Sequence, residues 1–185
     1  MTDINSTISQ HDKNDATSIE YVVDKDNVIV EIRGLWDEFA IDNDAAQMVT
    51  EKVIGKPLMD FISGSVTRQF WLEMLHKTRI GKTPVCLDYR CDSPQARRYM
   101  SLRLIPESHG RLRLLSALLR SEERQENFYS ERARERGKDT MTRCSLCNQI
   151  LSRGQWVEAE SLSNSSPDNR LQVIYGICPT CKLRL

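Results

Sequence analysis

Apolar and polar residues alternate in two short runs near the start of the chain. Ile19, Tyr21 and Val23 alternate with Glu20 and Asp24, and Val28, Val30 and Ile32 alternate with Glu31 and Arg33. A period of two places one set of side chains on one face, so both runs are predicted as half-buried strands. Asp24-Lys25-Asp26-Asn27 between them consists of residues that tolerate turn geometry, which predicts a hairpin. From Gly34 the period lengthens: Leu35, Trp36 and Phe39 fit one face of a short helix, and Leu58, Met59, Phe61 and Ile62 form an apolar helical turn after Gly55 and Pro57. Gly64 or Ser65 then caps a longer helix ended by Gly81. Val66, Phe70, Met74 and Thr78 recur along it at helical spacing, with Trp71 and Leu75 widening the stripe.

Three further alternating runs follow. Val85, Leu87 and Tyr89 interleave with Cys86 and Asp88; Met100, Leu102 and Leu104 with Ser101 and Arg103; Leu112, Leu114 and Leu118 with Arg111 and Arg113. Turn-rich connections, Asp92-Ser93-Pro94 and Pro106 to Gly110, separate them. Two strands, several short helices, one long helix and three strands make an α+β domain: helices gathered on one face require a largely antiparallel five-stranded sheet. The flanks differ. Residues 1–17 are almost wholly polar and are expected to stay disordered. Residues 121–139 are nearly all charged, with Phe128 and Tyr129 their only aromatics, and their helix-favouring composition predicts a charged helical connector between a domain at 18–120 and a module at 140–185.

Composition narrows the class. The 185 residues suffice for one ordinary domain with a small appendage. Hydrophobic residues make up 39% and charged residues 28%, and the formal net charge is zero, so no global field favours nucleic acid or a membrane surface. No apolar run approaches the ~18 residues needed to span a bilayer. The start of the chain has neither a basic opening nor an apolar stretch, which argues against a signal peptide. Six cysteines without such a signal point to a reducing cytoplasm, where paired cysteines hold metal more often than disulfides.

The chemistry lies in four of those cysteines. Cys144-Ser-Leu-Cys147 and Cys178-Pro-Thr-Cys181 are two C-x-x-C pairs about 30 residues apart, the spacing of a four-thiolate zinc site. Two residues between the cysteines let both sulfurs of a pair face one ion. Four thiolates fill a tetrahedral shell and leave no position for substrate, so the expectation is one structural zinc per chain, held by Cys144, Cys147, Cys178 and Cys181. Trp156 and Val157 offer apolar cover, Gly154-Gln155-Trp156 reads as a turn entering a strand, and Val173-Ile174-Tyr175 reads as a strand leading through Gly176 into the second pair. Such a module is expected to be zinc-ribbon-like or treble-clef-like. Two redox-active pairs, or four free thiols, are the alternative.

The element order resembles that of the PAS domain, a sensory module whose five-stranded sheet cups a small pocket under its helices. Tyr21-Val22-Val23-Asp24 with Val28 to Glu31 is similar to the opening hairpin of many PAS domains. Gly55-Lys56-Pro57-Leu58, Phe61-Ile62-Ser63-Gly64 and Arg90-Cys91-Asp92-Ser93-Pro94 resemble a bacterial PAS group in which a tail like Tyr175-Gly176-Ile177-Cys178-Pro179-Thr180-Cys181 often follows. The resemblance runs from about Ser18 onward and implies a bacterial cytoplasmic signalling or regulatory protein, with a protein partner. Helices leaving the last PAS strand often join two copies. Here 121–139 has too few apolar residues for a heptad seam, so a homodimer is expected to use the PAS surface instead.

The remaining candidates read as ordinary surface or core. No flavin-reactive Asn-Cys-Arg-Phe-Leu run is present, and Cys86 and Cys91 are expected as buried or half-buried thiols. His76 is the sensible axial ligand for haem but falls off the inward face of the long helix; His109 lies in a turn and His11 in the tail. Neither haem nor flavin is expected. Arg97, Arg98, Arg103, Arg111 and Arg113 fall on adjacent strands and read as the solvated face of a half-covered sheet, with a basic patch for nucleic acid as the alternative. No nucleophile triad, phosphate loop or kinase signature occurs, so no enzyme is expected. The expected function is sensing and signal relay through protein contacts. The alternatives are a nucleic-acid-binding regulator using the zinc module and arginine face, and a thiol redox sensor that releases zinc.

Overall fold

Asp24 shapes the first turn: its carboxylate accepts hydrogen bonds from the N–H groups of Asp26 and Val28, both at 2.9 Å, and Asn27 takes the left-handed conformation at φ 64°. That turn joins β1 (Ile19–Val23) to β2 (Ile29–Gly34) in the computed structural model, which describes residues 18–43, 45–162 and 170–184. The expectation for 1–17 lies outside those residues. Helices follow: α1 (Trp36–Asp42), the short α2 (Thr50–Val53) and the long α3 (Ser65–Gly81). Then come β3 (Val85–Arg90), β4 (Ala96–Pro106) and β5 (Leu112–Glu123). The five strands form one sheet in the order β2-β1-β5-β4-β3, with every neighbouring pair antiparallel. The chain is therefore α+β, with the helices inserted between the second and third strands.

α3 packs through Thr67, Phe70, Met74, Leu75 and Thr78, all at most 5% exposed. The stripe expected from the sequence is one residue out of phase at its start, because Val66 is 52% exposed and Thr67 takes the inward position. Two polar residues are tolerated on this face because both hydroxyls are used. Thr78 donates to the Met74 carbonyl at 2.8 Å, and Thr67 shares a 2.8 Å hydrogen bond with Ser145. At the end of the helix, Arg79 donates to the carbonyls of Asp24 and Gly110 and to the Asn27 side chain, tying α3 to two turns of the sheet. Leu118, expected on the buried face of β5, is 43% exposed; Ser116 is the last inward residue of that alternation.

The stretch expected as a helical connector instead holds two strand segments, 121–123 and 129–132, joined and followed by bends and a turn. β5 continues through 121–123, where Arg97 and Ala96 pair with Glu122 and Glu123. Phe128 is buried in a second apolar cluster, and β6 (Tyr129–Arg132) pairs in parallel with β10 (Arg170–Gly176). Helix propensity is a weak prior, and here strand pairing and one buried aromatic override it. Between them in sequence lie β7 (Met141–Cys144), β8 (Ile150–Ser152) and β9 (Gln155–Val157). They complete a mixed second sheet in the order β6-β10-β7-β8-β9, and α4 (Pro179–Lys182) follows it.

The two parts share a core. One apolar cluster contains Phe70, Met74, Leu87, Leu102 and Leu114 from the first sheet and its helix together with Cys144, Leu146, Cys178 and Cys181. Trp36 and Phe61 pack against this cluster, whereas Phe39 lies under the guanidinium of Arg98. α3 also approaches β10 closely. A Cβ on Gly64, whose φ is +85°, would stand 2.7 Å from the Tyr175 carbonyl oxygen.

Candidate metal centre

β7 delivers Cys144 at its last residue, and the chain then reverses within one turn. The Asn148 N–H donates to the Cys144 carbonyl at 3.0 Å, and the Cys144 N–H donates to the Gln149 carbonyl at 2.8 Å. This reversal requires a left-handed residue after the second cysteine, and Asn148 supplies it at φ 61°, a conformation that asparagine tolerates better than most residues. The second pair is presented differently. Gly176 ends β10, Cys178 caps α4, and Pro179 occupies the first helical turn, where its missing N–H costs nothing. Cys181 then falls one turn on, facing the same point.

The four sulfurs all lie within 4.8 Å of one another, and Cys147 Sγ is 3.8 Å from Cys178 Sγ. Zinc–sulfur bonds of about 2.3 Å in tetrahedral geometry require sulfurs roughly 3.8 Å apart, so the residues fit such an ion. Cys144, Cys178 and Cys181 are at most 2% exposed, while Cys147 is half-buried. Backbone N–H groups turn toward the sulfurs: Cys178 donates to Cys144 Sγ and Cys181 to Cys178 Sγ, both at 3.4 Å. The four cysteines thus form one cluster able to hold a metal ion.

The electrostatics of the thiols point the same way. The hydrogen bond from Cys147, opposed by burial and helped by backbone N–H groups of Cys147, Cys178 and Leu146, holds the Cys144 thiol down at about 4. That shared hydrogen bond, then burial, pushes Cys147 far up. Burial, with the charge of Cys144, pushes Cys181 up to about 12. Negative charge on Cys144 thus opposes ionisation of Cys147 and Cys181. A divalent cation at the centre supplies the countercharge that lets the others ionise.

The cluster is anchored to the first sheet. The Arg90 N–H donates to the Leu146 carbonyl at 2.7 Å, and the Asn148 side-chain amide donates to the Arg90 carbonyl at 3.1 Å. The Arg90 side chain belongs to a buried ionic network. It contacts Asp92 at 2.5 Å and Glu158 at 2.7 Å, Asp92 also receives Arg124 at 2.7 Å, and Glu160 pairs with Arg97 at 2.8 Å and with Arg124. Asp92 and Arg124 side chains are each 2% exposed. Burial works against the Arg90 charge, but the hydrogen bonds it donates to Asp92 and Glu158 outweigh it and raise its pKa. Glu158 and Glu160 come from the cysteine-bearing part, the three arginines and Asp92 from the first sheet and its loops, so the network latches one to the other.

Sequence reasoning missed this latch, since its members are separated by more than 60 residues in the Arg90–Glu158 and Arg97–Glu160 pairs. Only Asn148 carries a local signal, its place one residue after Cys147. The arginine face expected as solvated is largely paired with carboxylates. Arg111 meets Glu31 at 3.1 Å, Arg113 meets Glu107 at 3.5 Å, and Arg98 donates to the Cys91 carbonyl at 2.7 Å. Cys86 is exposed, Cys91 is half-buried, and neither joins the cluster; His76 is exposed. No described helix is long and apolar enough to cross a membrane.

No family model matches the chain, and no curated protein matches it. Among solved structures, a domain of an HTR-like protein from Haloarcula marismortui aligns with a TM-score of 0.39 at 15% identity, covering 56% of this chain and 98% of that one.

Proposed function

We propose that the chain is a non-enzymatic sensory and signal-relay protein: a PAS-like domain built as one body with a structural zinc centre, acting through contacts with a protein partner. The zinc is held by Cys144, Cys147, Cys178 and Cys181, one ion per chain. We read its module as treble-clef-like rather than ribbon-like, because the second pair opens a helix instead of a hairpin. The observation that carries the reading is the Arg90 backbone. Both its N–H and its C=O are engaged by the cysteine turn, so the edge strand of the sheet and the metal ligands move together. A change at the sheet is thereby transmitted to the C-terminal part, or the reverse.

Amide exchange with and without a strong zinc chelator tests the relay. Protection is expected to fall in 85–90 of β3 as well as in 141–150. A loss confined to the cysteine turns contradicts it. The nucleic-acid alternative is disfavoured by the pairing of Arg97, Arg111 and Arg113 with glutamates. Retention on duplex DNA that weakens steeply with salt would restore that alternative, since phosphate contacts release counterions.

A further inference from the structure

Three of the four clustered cysteines are sealed from solvent, and the fourth is not. Cys147 forms part of the wall of a groove of about 500 Å³ beside β3 and the end of β5. Tyr99, Met100, Leu119 and Leu146 line it, with Arg120 stacked 3.7 Å over the Tyr99 ring. Of the four cysteines Cys147 alone borders this groove, so a small reagent entering there meets Cys147 before the three sealed ones. At 3.8 Å from the Cys147 Sγ stands the buried Sγ of Cys178, contributed by the other C-x-x-C pair.

Resting on the zinc reading, we propose that Cys147 is the site where a peroxide oxidises the centre and that Cys178 is its resolving thiol. The Cys147 thiolate attacks one oxygen of hydrogen peroxide, the O–O bond breaks, and hydroxide departs to become water on taking a proton. Sulfur is oxidised by two electrons to the sulfenic acid and peroxide oxygen is reduced. The Cys178 thiolate then attacks the Cys147 sulfur, an S–S bond forms, and the sulfenic hydroxyl leaves as a second water on protonation. The sum is two thiolates, one peroxide and two protons giving one disulfide and two waters. This disulfide removes one ligand from each pair, so neither pair retains a complete half-site and the ion is released. A disulfide within one pair would leave the other intact. The groove selects the sulfur that reacts first, and the 3.8 Å approach of Cys178 selects the cross-pair, more disruptive product.

The test uses the zinc-loaded full chain, hydrogen peroxide and a chromogenic zinc indicator, with a sulfenic-acid trap and peptide mass spectrometry. Among the four ligands, the first adduct is expected on Cys147, and the product on a Cys147–Cys178 linked peptide that appears together with released zinc. Leu119→Trp supplies the second arm. Leu119 is 49% exposed and unpaired at the irregularity where Tyr99 pairs with Arg120 and Met100 with Leu118, so the ladder loses no pair while the groove narrows. The variant is expected to carry full zinc and to release it several-fold more slowly. A purified chain without zinc would sink the zinc reading itself. With zinc bound, a first adduct on Cys144, Cys178 or Cys181, a disulfide within either pair, or an unchanged release rate in zinc-loaded Leu119→Trp would overturn the inference alone.

Discussion

Arg90 and Leu146, 56 residues apart in sequence, are joined by a 2.7 Å backbone hydrogen bond from the N–H of the first to the carbonyl of the second. The bond makes the cysteine turn a continuation of the edge of the first sheet. It satisfies the last N–H of β3, which would otherwise face a buried neighbour, and it closes the exposed sheet edge at that end.

Asn148 holds the other side of this junction. Its amide bonds the Arg90 carbonyl, and its backbone is left-handed at φ 61°. Asn148→Gly keeps the conformation and loses the bond, an expected cost of about 1 kcal/mol. Asn148→Ala loses both, and the left-handed backbone adds roughly 1–2 kcal/mol. Urea unfolding of the zinc-loaded chain is therefore expected to rank wild type above glycine and glycine above alanine. Equal stability of the two variants would contradict the role given to the backbone.

The buried ionic network should behave unlike the surface pairs. Asp92 is 2% exposed and faces two guanidinium groups, so Asp92→Ala leaves Arg90 and Arg124 without their shared carboxylate. Arg90 keeps Glu158 and Arg124 keeps Glu160, so the expected loss lies toward the lower end of the about 3–5 kcal/mol for breaking a buried pair. Arg170→Ala breaks an ion pair with Glu131 whose side chains are 51% and 46% exposed, and solvent screening makes the expected cost far smaller. Denaturant midpoints of the two variants compare them directly, and similar midpoints would remove the latch from the account.

Gly64 and Gly55 separate two kinds of glycine requirement. Both have positive φ, +85° and +77°, but only at Gly64 would a Cβ meet a neighbour, the Tyr175 carbonyl oxygen at 2.7 Å. Gly55→Ala should cost about 1–2 kcal/mol of backbone strain alone. Gly64→Ala should cost a further ~1–3 kcal/mol as α3 is pushed off β10. Because Tyr175 lies three residues before Cys178, Gly64→Ala should also bind zinc less tightly in competition with a chelator, while Gly55→Ala should not. Equal zinc affinity in both would show that the α3 contact does not position the second pair.

The space between α3 and the first sheet is filled by Phe70, Met74, Leu75, Leu102, Leu104 and Leu114, each at most 5% exposed. His76 is exposed on the opposite side of the helix. Purified protein is expected to be colourless; a haem or flavin band would contradict this filled core.

What the sequence displays follows from the range of the physics involved. β1, β2 and α3 are legible because their signal is local: period-two alternation at Ile19 to Val23, a turn built on Asp24, helical spacing from Phe70 to Thr78. The cysteine pairs are legible because metal geometry demands short fixed spacing. Thr67 replacing Val66 on the inward face is not legible, since it depends on Ser145 arriving from the second part to satisfy the hydroxyl. Nor is the non-helical form of 121–139, where charged side chains such as Arg124 are matched to carboxylates that reach them only in the folded chain.

The central claim is that four particular sulfurs hold one ion. Elemental zinc per chain, measured on the wild type and on six single Cys→Ser variants, tests it most directly. The expected result is one zinc in the wild type, Cys86→Ser and Cys91→Ser, whose thiols lie outside the cluster, and its loss in the variants of Cys144, Cys147, Cys178 and Cys181. A wild type without zinc, or full zinc in the Cys178→Ser variant, would contradict the account.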